Sequence, residues 1–391
     1  MEGLQKNLDI LKDYCSKWKL TVNVAKTKIM VFRKGGRLPN NLRFLYGAQE
    51  IEIVNKFSYL GIVFSSGGSF AHCCNTLSGQ ALKGIFTLHK YLYSFTNITP
   101  KHTLELFDKL ISPILNYGSE VWGLSVSKQI ERVHMHFCKQ LLQVKSSTQN
   151  DFIYGELGRQ DLFSKRMFIV IKFWLKLTML HQNKYMKMAY DMMLQDLNRN
   201  QNTRNWASMV KNVLSNLGFR DVWVTQGVAD QNSFLSLLKQ RIRDTFIQNW
   251  NSRLNNSSRA IFYREIASFE FQPYLDLVNI KRFRVALTRL RVSSHRLEIE
   301  TGRWGRPSIE RNQRFCKLCN NNLVEDEYHF LFECISFQAL RCQLIKQYYR
   351  CRPNMYKTVE LLTSENKRIT RALAEYTYKS FQKRNELYFL R

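Results

Sequence analysis

The sequence predicts a mainly α-helical protein with a small α+β piece at its N-terminus and, near its C-terminus, a short knuckle organised by cysteine and histidine. Three observations lead there. From about Phe70 onward, apolar residues recur at intervals of three and four, the pattern of helices that bury one face. Before Phe70, β-branched residues alternate with polar ones between glycines, which reads as short strands and turns. Third, FCKLCNNNLVEDEYHFLFEC at 315–334 holds Cys316, Cys319, His329 and Cys334 so close that all four can touch one atom.

The elements follow in order. Leu4, Leu8, Leu11, Cys15 and Trp18 lie at helical spacing, and LTVNVAKTKIMVF after them suggests strands around a turn. GRLPNN at 36–41 is a turn, and FLYGAQEIEIVNKFSYLGIVFSSGG continues in short strands bounded by glycines. Helices then run to the end, broken at TNITP (96–100), at SSTQN (146–150, with loop signals to 158) and at the polar NRNQNTRN (198–205). MFIVIKFWLKLTML at 167–180 is interrupted by Lys172 and Lys176 at i, i+4 spacing, so it predicts a buried amphipathic helix and not a membrane span. The expected organisation is an N-terminal piece over 1–69, helices over 70–197, an inter-domain linker at 198–205, a basic helical region over 206–310, the knuckle over 311–340 and closing helices over 341–391.

With 391 residues, 45% of them hydrophobic, the chain has ample material for packed cores. Lys and Arg number 59 against 31 Asp and Glu, a formal net charge of +28. An excess this large suits RNA or DNA, since each neutralised phosphate releases a counterion; a membrane surface competes as an explanation. Met1 to Asp9 is polar, without a basic stretch leading into an apolar run, so secretion is not expected. An odd count of nine cysteines then argues for reduced thiols and metal, in a nuclear or cytoplasmic setting.

The knuckle spacing is Cys-x2-Cys-x9-His-x4-Cys. Two cysteines two apart chelate from one tight turn, and a His and a Cys at the start of a helix complete a tetrahedral shell of three thiolates and one ring nitrogen, which suits zinc. Four filled positions leave no open site, so the zinc is expected to be structural. The plainer alternative is an accidental cluster, with His329 packing as an ordinary helix residue. Just before it, residues 281–315 hold ten basic side chains (Lys281, Arg282, Arg284, Arg289, Arg291, Arg296, Arg303, Arg306, Arg311 and Arg314) against Glu298, Glu300 and Glu310, a local net of +7. The first eight are candidate phosphate contacts, since the guanidinium fork grips phosphate and stacks on bases. A solvated helix face paired with Glu298 and Glu300 is the bland alternative.

GLQKNLDILKDYCSKWKLTVNVAKTKIMVF resembles the segment that follows the Tyr-x-Asp-Asp motif in reverse transcriptases of non-LTR, LINE-type and possibly jockey-like, retrotransposons. KFSYLGIVF resembles the primer-grip hairpin after it, and LISPILNYGSEVWG with FIYGELGR is similar to the region beyond the thumb. SSHRLEIETGRWGR followed by the Cys-Cys-His-Cys (CCHC) knuckle is similar to the C-terminal ends of such polyproteins. The resemblance implies that residues 1–69 are the end of a palm with a primer-grip-like hairpin and that 70–197 are thumb and post-thumb helices. It matches Asn23, Lys26, Thr27 and Lys28 to a motif that sets a lysine near the incoming nucleotide, and Tyr59, Leu60 and Gly61 to the primer grip.

The two-metal chemistry of such an enzyme needs paired carboxylates. No Asp-Asp pair occurs in the sequence, so the resemblance implies that those aspartates belong upstream of Met1. No catalytic residue, magnesium or small-molecule substrate is expected here. The expectation is therefore a nucleic-acid-binding C-terminal portion of an RNA-directed DNA polymerase. Two alternatives stay open: a portion of an active polymerase, and a zinc-stabilised helical adaptor for proteins, suggested by Trp304, Tyr348 and Tyr349. For the N-terminal motifs the plain alternative is structure, with Trp18, Val22, Ile29, Val31 and Phe57 as core.

Overall fold

The spacing of three and four that begins at Phe70 is realised as helices. The computed structural model describes residues 2–33, 35–39, 41–93, 98–125, 127–181, 184–200, 202–319 and 321–389, and over these the protein is mainly helical with two small antiparallel sheets. The TNITP break falls partly outside the described residues.

At the N-terminus, α1 (Glu2–Lys17) precedes β1 (Leu45–Tyr46) and β2 (Gln49–Glu50), which form one two-stranded sheet. The strands expected within 20–32 reduce to an isolated parallel bridge, in which Ile29 N–H donates to the Glu52 carbonyl and Val54 N–H to the Ile29 carbonyl. A strand is held by pairing along its length, and the described part of this stretch pairs at a single position. Leu8, Ile29, Phe44 and Ile51 form a small core. Trp18, by contrast, is 60% exposed, and Leu4 and Leu11 are exposed beside it.

KFSYLGIVF folds as the second hairpin, β3 (Lys56–Tyr59) and β4 (Ile62–Ser65), with Tyr59 opposite Ile62. Leu60 and Gly61 are its two-residue loop, with φ of 48° and 83°. Positive φ at both positions gives the twist that a tight hairpin requires. Gly61 adopts it without strain, and Leu60 is held there by the Tyr117 hydroxyl, which donates to its carbonyl at 2.9 Å. Tyr117 belongs to LISPILNYGSEVWG, so two separated motifs of the sequence meet.

Most of the remaining helices share one core. α2 (Ala71–Tyr93), α3 (Lys128–Leu142) and α4 (Asn150–Glu156) contribute Leu77, Phe137 and Phe152 to it. α4 occupies part of the stretch whose composition suggested a loop. Its Gly155 explains FIYGELGR: a β-carbon there would lie 2.7 Å from Trp250 Cζ2 and closer still to the Tyr263 hydroxyl.

A second core gathers α5 (Leu162–Thr178), α6 (Tyr185–Arg199) and α7 (Trp206–Asn216) around Trp174, Tyr190 and Leu214. Lys172 and Lys176 are exposed on the far side of α5, as the spacing predicted. The described residues of 198–205, the expected inter-domain linker, run between α6 and α7, both of which contribute side chains to this core. Asn205 forms a capping box with Ser208 and donates from its side chain to the Met193 carbonyl at 2.8 Å, which pins the loop to both helices.

α8 (Gln231–Asn255) ties the two cores together. Its buried residues Phe234, Leu238, Ile242, Phe246, Trp250 and Leu254 recur every four. Each such step overshoots a full helical turn by about 40°, so the apolar stripe winds roughly 200° along the helix. The first three side chains accordingly enter the second core and the last three the main one. α9 (Lys281–Arg291) and α10 (Lys367–Phe389) pack against each other and close the main core. No helix among the described residues is long and apolar enough to cross a membrane.

Candidate metal centre

Cys316, Cys319, His329 and Cys334 converge, with donor atoms all within 4.8 Å of one another, and all four are buried. The Cys-x2-Cys pair sits on a tight loop closed by a bridge between Phe315 and Val324 and by Cys316 N–H on the Leu323 carbonyl. His329 and Cys334 are five apart, which in a regular α-helix would point them about 140° away from each other. The chain solves this with a π-turn over His329–Glu333, in which Cys334 N–H bonds to the His329 carbonyl at 2.9 Å and the two side chains return to one face.

The geometry fits a four-coordinate metal ion. Cys316 Sγ lies 3.9 Å from Cys334 Sγ, and Cys319 Sγ 3.5 Å from His329 Nε2. Tetrahedral zinc would set these edges at about 3.8 Å and about 3.6 Å, so the set is compatible with that ion. The other ring nitrogen, Nδ1, faces Glu333 at 3.3 Å, the orienting carboxylate that ligating histidines commonly use. The hydrogen bond with Cys334, with burial, pushes the Cys316 thiol up to about 12 and lowers Cys334; burial raises Cys319. A metal ion held here therefore displaces thiol protons.

The centre is built into the main core, not hung beside it. Phe330, Leu331 and Phe337 are core residues, and the Tyr376 hydroxyl of α10 donates to the Phe330 carbonyl at 2.8 Å. SSHRLEIE, over 293–300, acts as its clamp. Ser293 Oγ and His295 Nε2 meet Glu327 at 2.7 and 3.0 Å, and Glu298 N–H donates to Glu325 at 2.8 Å. Arg384 of α10 grips both oxygens of Glu325, at 2.7 and 2.6 Å. Arg341 donates to the carbonyls of Leu331 and Cys334. Sequence reading missed these supports; the signal was Glu325 and Glu327 between the candidate ligands Cys319 and His329 in a chain so rich in cations.

The predicted arginine belt does not stay together. Lys281, Arg282, Arg296 and Arg306 are exposed, as is Arg289, whose Nε donates to the Gln143 carbonyl at 2.9 Å. Arg284 is half-buried on the Val278 carbonyl, and Arg303 is half-buried against Glu300 at 2.9 Å. Arg291 is a correction. It is fully buried, with Nε and Nη2 on the Glu156 carboxylate, Nη2 also on Gln272 and Nη1 on the Leu362 carbonyl, so it cannot face a phosphate. Arg314 is likewise buried, on the carbonyls of Ile299 and Ile309.

The N-terminal motif residues lie apart from the metal centre in sequence and in fold. Asn23 organises a turn, its side chain accepting from Lys26 N–H while its carbonyl accepts from Thr27, and Lys28 pairs with Glu52 at 2.6 Å. Tyr59, Leu60 and Gly61 form the exposed tip of the second hairpin. Comparisons with models of known families, with curated proteins and with solved structures return no match to this chain.

Proposed function

We propose that this chain is the nucleic-acid-binding C-terminal portion of a non-LTR retrotransposon RNA-directed DNA polymerase, held together by a structural zinc ion and without catalytic carboxylates of its own. The observation that carries the reading is the closed four-donor cluster locked onto SSHRLEIETGRWGR, the segment whose arginines adjoin it. Three sulfurs and one imidazole fill a tetrahedron, so the ion would have no open position and would act on folding alone. A net charge of +28 then leaves a large cationic surplus for a polyanion. None of the nine cysteines is in a disulfide, which fits a nuclear or cytoplasmic setting.

Metal analysis of purified protein and filter binding with RNA and DNA under a salt titration test this together. One zinc per chain and an affinity that falls steeply with salt are expected. Metal-free folded protein, or binding that ignores salt, would overturn the reading. The exposed apolar side chains Leu4, Leu11, Tyr14 and Trp18 of the N-terminal piece favour a second reading, in which a catalytic segment packs there and the chain is part of an active polymerase. Primer extension above background by the isolated chain would show that the active site is already here.

A further inference from the structure

α3 carries a second periodicity opposite its buried one. Ile130, Val133 and Phe137 enter the core, while Lys128, Arg132, His136 and Lys139 follow one another on the outer side and, with Arg289, line a cleft of about 930 Å³. Steps of four residues advance about 6 Å along a helix, close to the separation of phosphates in an extended strand. The acid in this lining, Glu131, is already engaged by His134, by the Tyr154 hydroxyl at 2.7 Å and by Leu162 N–H at 3.0 Å.

The cations here are positioned by neutral groups. Lys139 Nζ rests on the Ser146 carbonyl at 2.8 Å, Arg289 on the Gln143 carbonyl, and Lys145 on the His295 carbonyl. Backbone carbonyls fix direction and leave the charge uncompensated. Burial holds Lys145 below the ordinary lysine range, with Glu300 opposing it and Arg296, Arg289 and Arg259 adding to it, and burial with Arg259 does the same to Lys139. Arg259 meets one carboxylate, Glu300, at 3.5 Å, and Arg303 shares it; the Arg259 Nε is buried with no partner. The Arg259 guanidinium lies 5.5 Å over the ring of Trp304, whose side chain is 65% exposed.

We propose that this cleft is a track for single-stranded nucleic acid, in which Arg132, Lys139 and Arg289 hold phosphates along the strand and Trp304 stacks an unpaired base. The proposal rests on the nucleic-acid reading above and names its surface. Lys139 sits on the Ser146 carbonyl and Arg259 Nη1 reaches the adjacent Ser147 carbonyl at 3.5 Å, so the guanidinium over the exposed indole adjoins the cleft; together they supply the two elements that grip single strands, backbone charge and a stacking platform. Paired bases in a duplex have no free face to offer Trp304, which sets the preference for single strands.

Fluorescence anisotropy of the full chain with a short labelled single-stranded RNA, the DNA of the same sequence and its duplex tests this across a salt series. The triple variant Arg132→Ala, Lys139→Ala, Arg289→Ala is expected to lower the salt slope by about 2, from about 0.7 per lost contact. Trp304→Ala is expected to weaken single strands about ten-fold with the slope unchanged, and Trp304→Phe to restore part of that. Lys172→Ala with Lys176→Ala, which removes exposed charge from α5, is the control and should leave tight binding. Should the triple variant fail to fold, Arg132→Glu alone reverses one exposed charge on the same track. If wild type binds and the cleft variants match it, the track is refuted and the nucleic-acid reading survives. Equal affinity for duplex with no effect of Trp304→Ala refutes single-strand selectivity. Absence of any binding by wild type removes the underlying reading and the track with it.

Discussion

Replacing Arg291 by alanine separates the buried arginine from its exposed neighbours. Arg291 and Glu156 are both fully buried, and the guanidinium makes hydrogen bonds of 2.7 to 3.2 Å to Glu156, Gln272 and the Leu362 carbonyl, over the face of Tyr274. Truncation would strip the Glu156 carboxylate of its cation in the interior, with the Tyr274 hydroxyl, at 2.7 Å, still donating to it. Breaking one side of such a pair costs about 3–5 kcal/mol. At roughly 2 °C per kcal/mol for a long chain, the melting temperature should fall by about 6–10 °C. Replacing both partners with apolar residues, Arg291→Met with Glu156→Leu, should recover most of that loss, since no charge is stranded. Thermal unfolding by circular dichroism reads the stability, and anisotropy on the same samples reads the salt slope. Arg289→Ala should behave in the opposite way, with little change in melting and a shallower salt slope. A melting temperature for Arg291→Ala within about 2 °C of wild type would refute the buried pairing, because no interior charge can be stranded so cheaply.

Removing the metal with a chelator, or replacing Cys334 by serine, should lower the melting temperature of the whole main core and not only loosen the knuckle, because Cys316, Cys319 and Cys334 pack within that core; calorimetry before and after zinc is restored checks it. Gly155→Ala should destabilise by about 1–3 kcal/mol, as its methyl group would overlap Trp250 and Tyr263, and urea denaturation would show a lower midpoint. Acidification should weaken two contacts of the segment just before α5, Asp108 with Arg159 and Glu131 of α3 with the Leu162 amide. Burial alone would raise Asp108 and Glu131, but Arg159 on the first, and His134, Tyr154 and the Leu162 amide on the second, hold both below their ordinary values. A depressed carboxylate stabilises the fold above its unfolded value and loses that contribution as the pH falls through the folded one, here below about 4. Melting temperature against pH should drop there, and Asp108→Asn with Glu131→Gln should flatten the drop.

Local spacing made much of this legible. Cys-x2-Cys needs one tight turn, so its chelating geometry follows from three residues, and apolar intervals of three and four mark a helix whatever it packs against. The amphipathic reading of 167–180 held for that reason, with Lys172 and Lys176 outside. Strand signals over 20–32 failed because a strand is completed by its neighbours, and here Ile29 meets only Ile53. The polar stretch at 198–205 suggested a boundary because polarity marks exposure, and exposed loops join helices of one core as they join domains.

The amino-acid order alone determined the helical character, the four residues that could hold a metal ion and the cationic surplus, each a property of residues near one another in the chain or of their total. Which cations are free was decided only in three dimensions. Arg289 and Arg291 are two positions apart and chemically identical, but Glu156, far away in sequence, buries one of them, while the turn of α9 leaves the other beside the outer row of α3. Charge pairing acts through space, so its outcome waits on the fold; chelation by close neighbours does not.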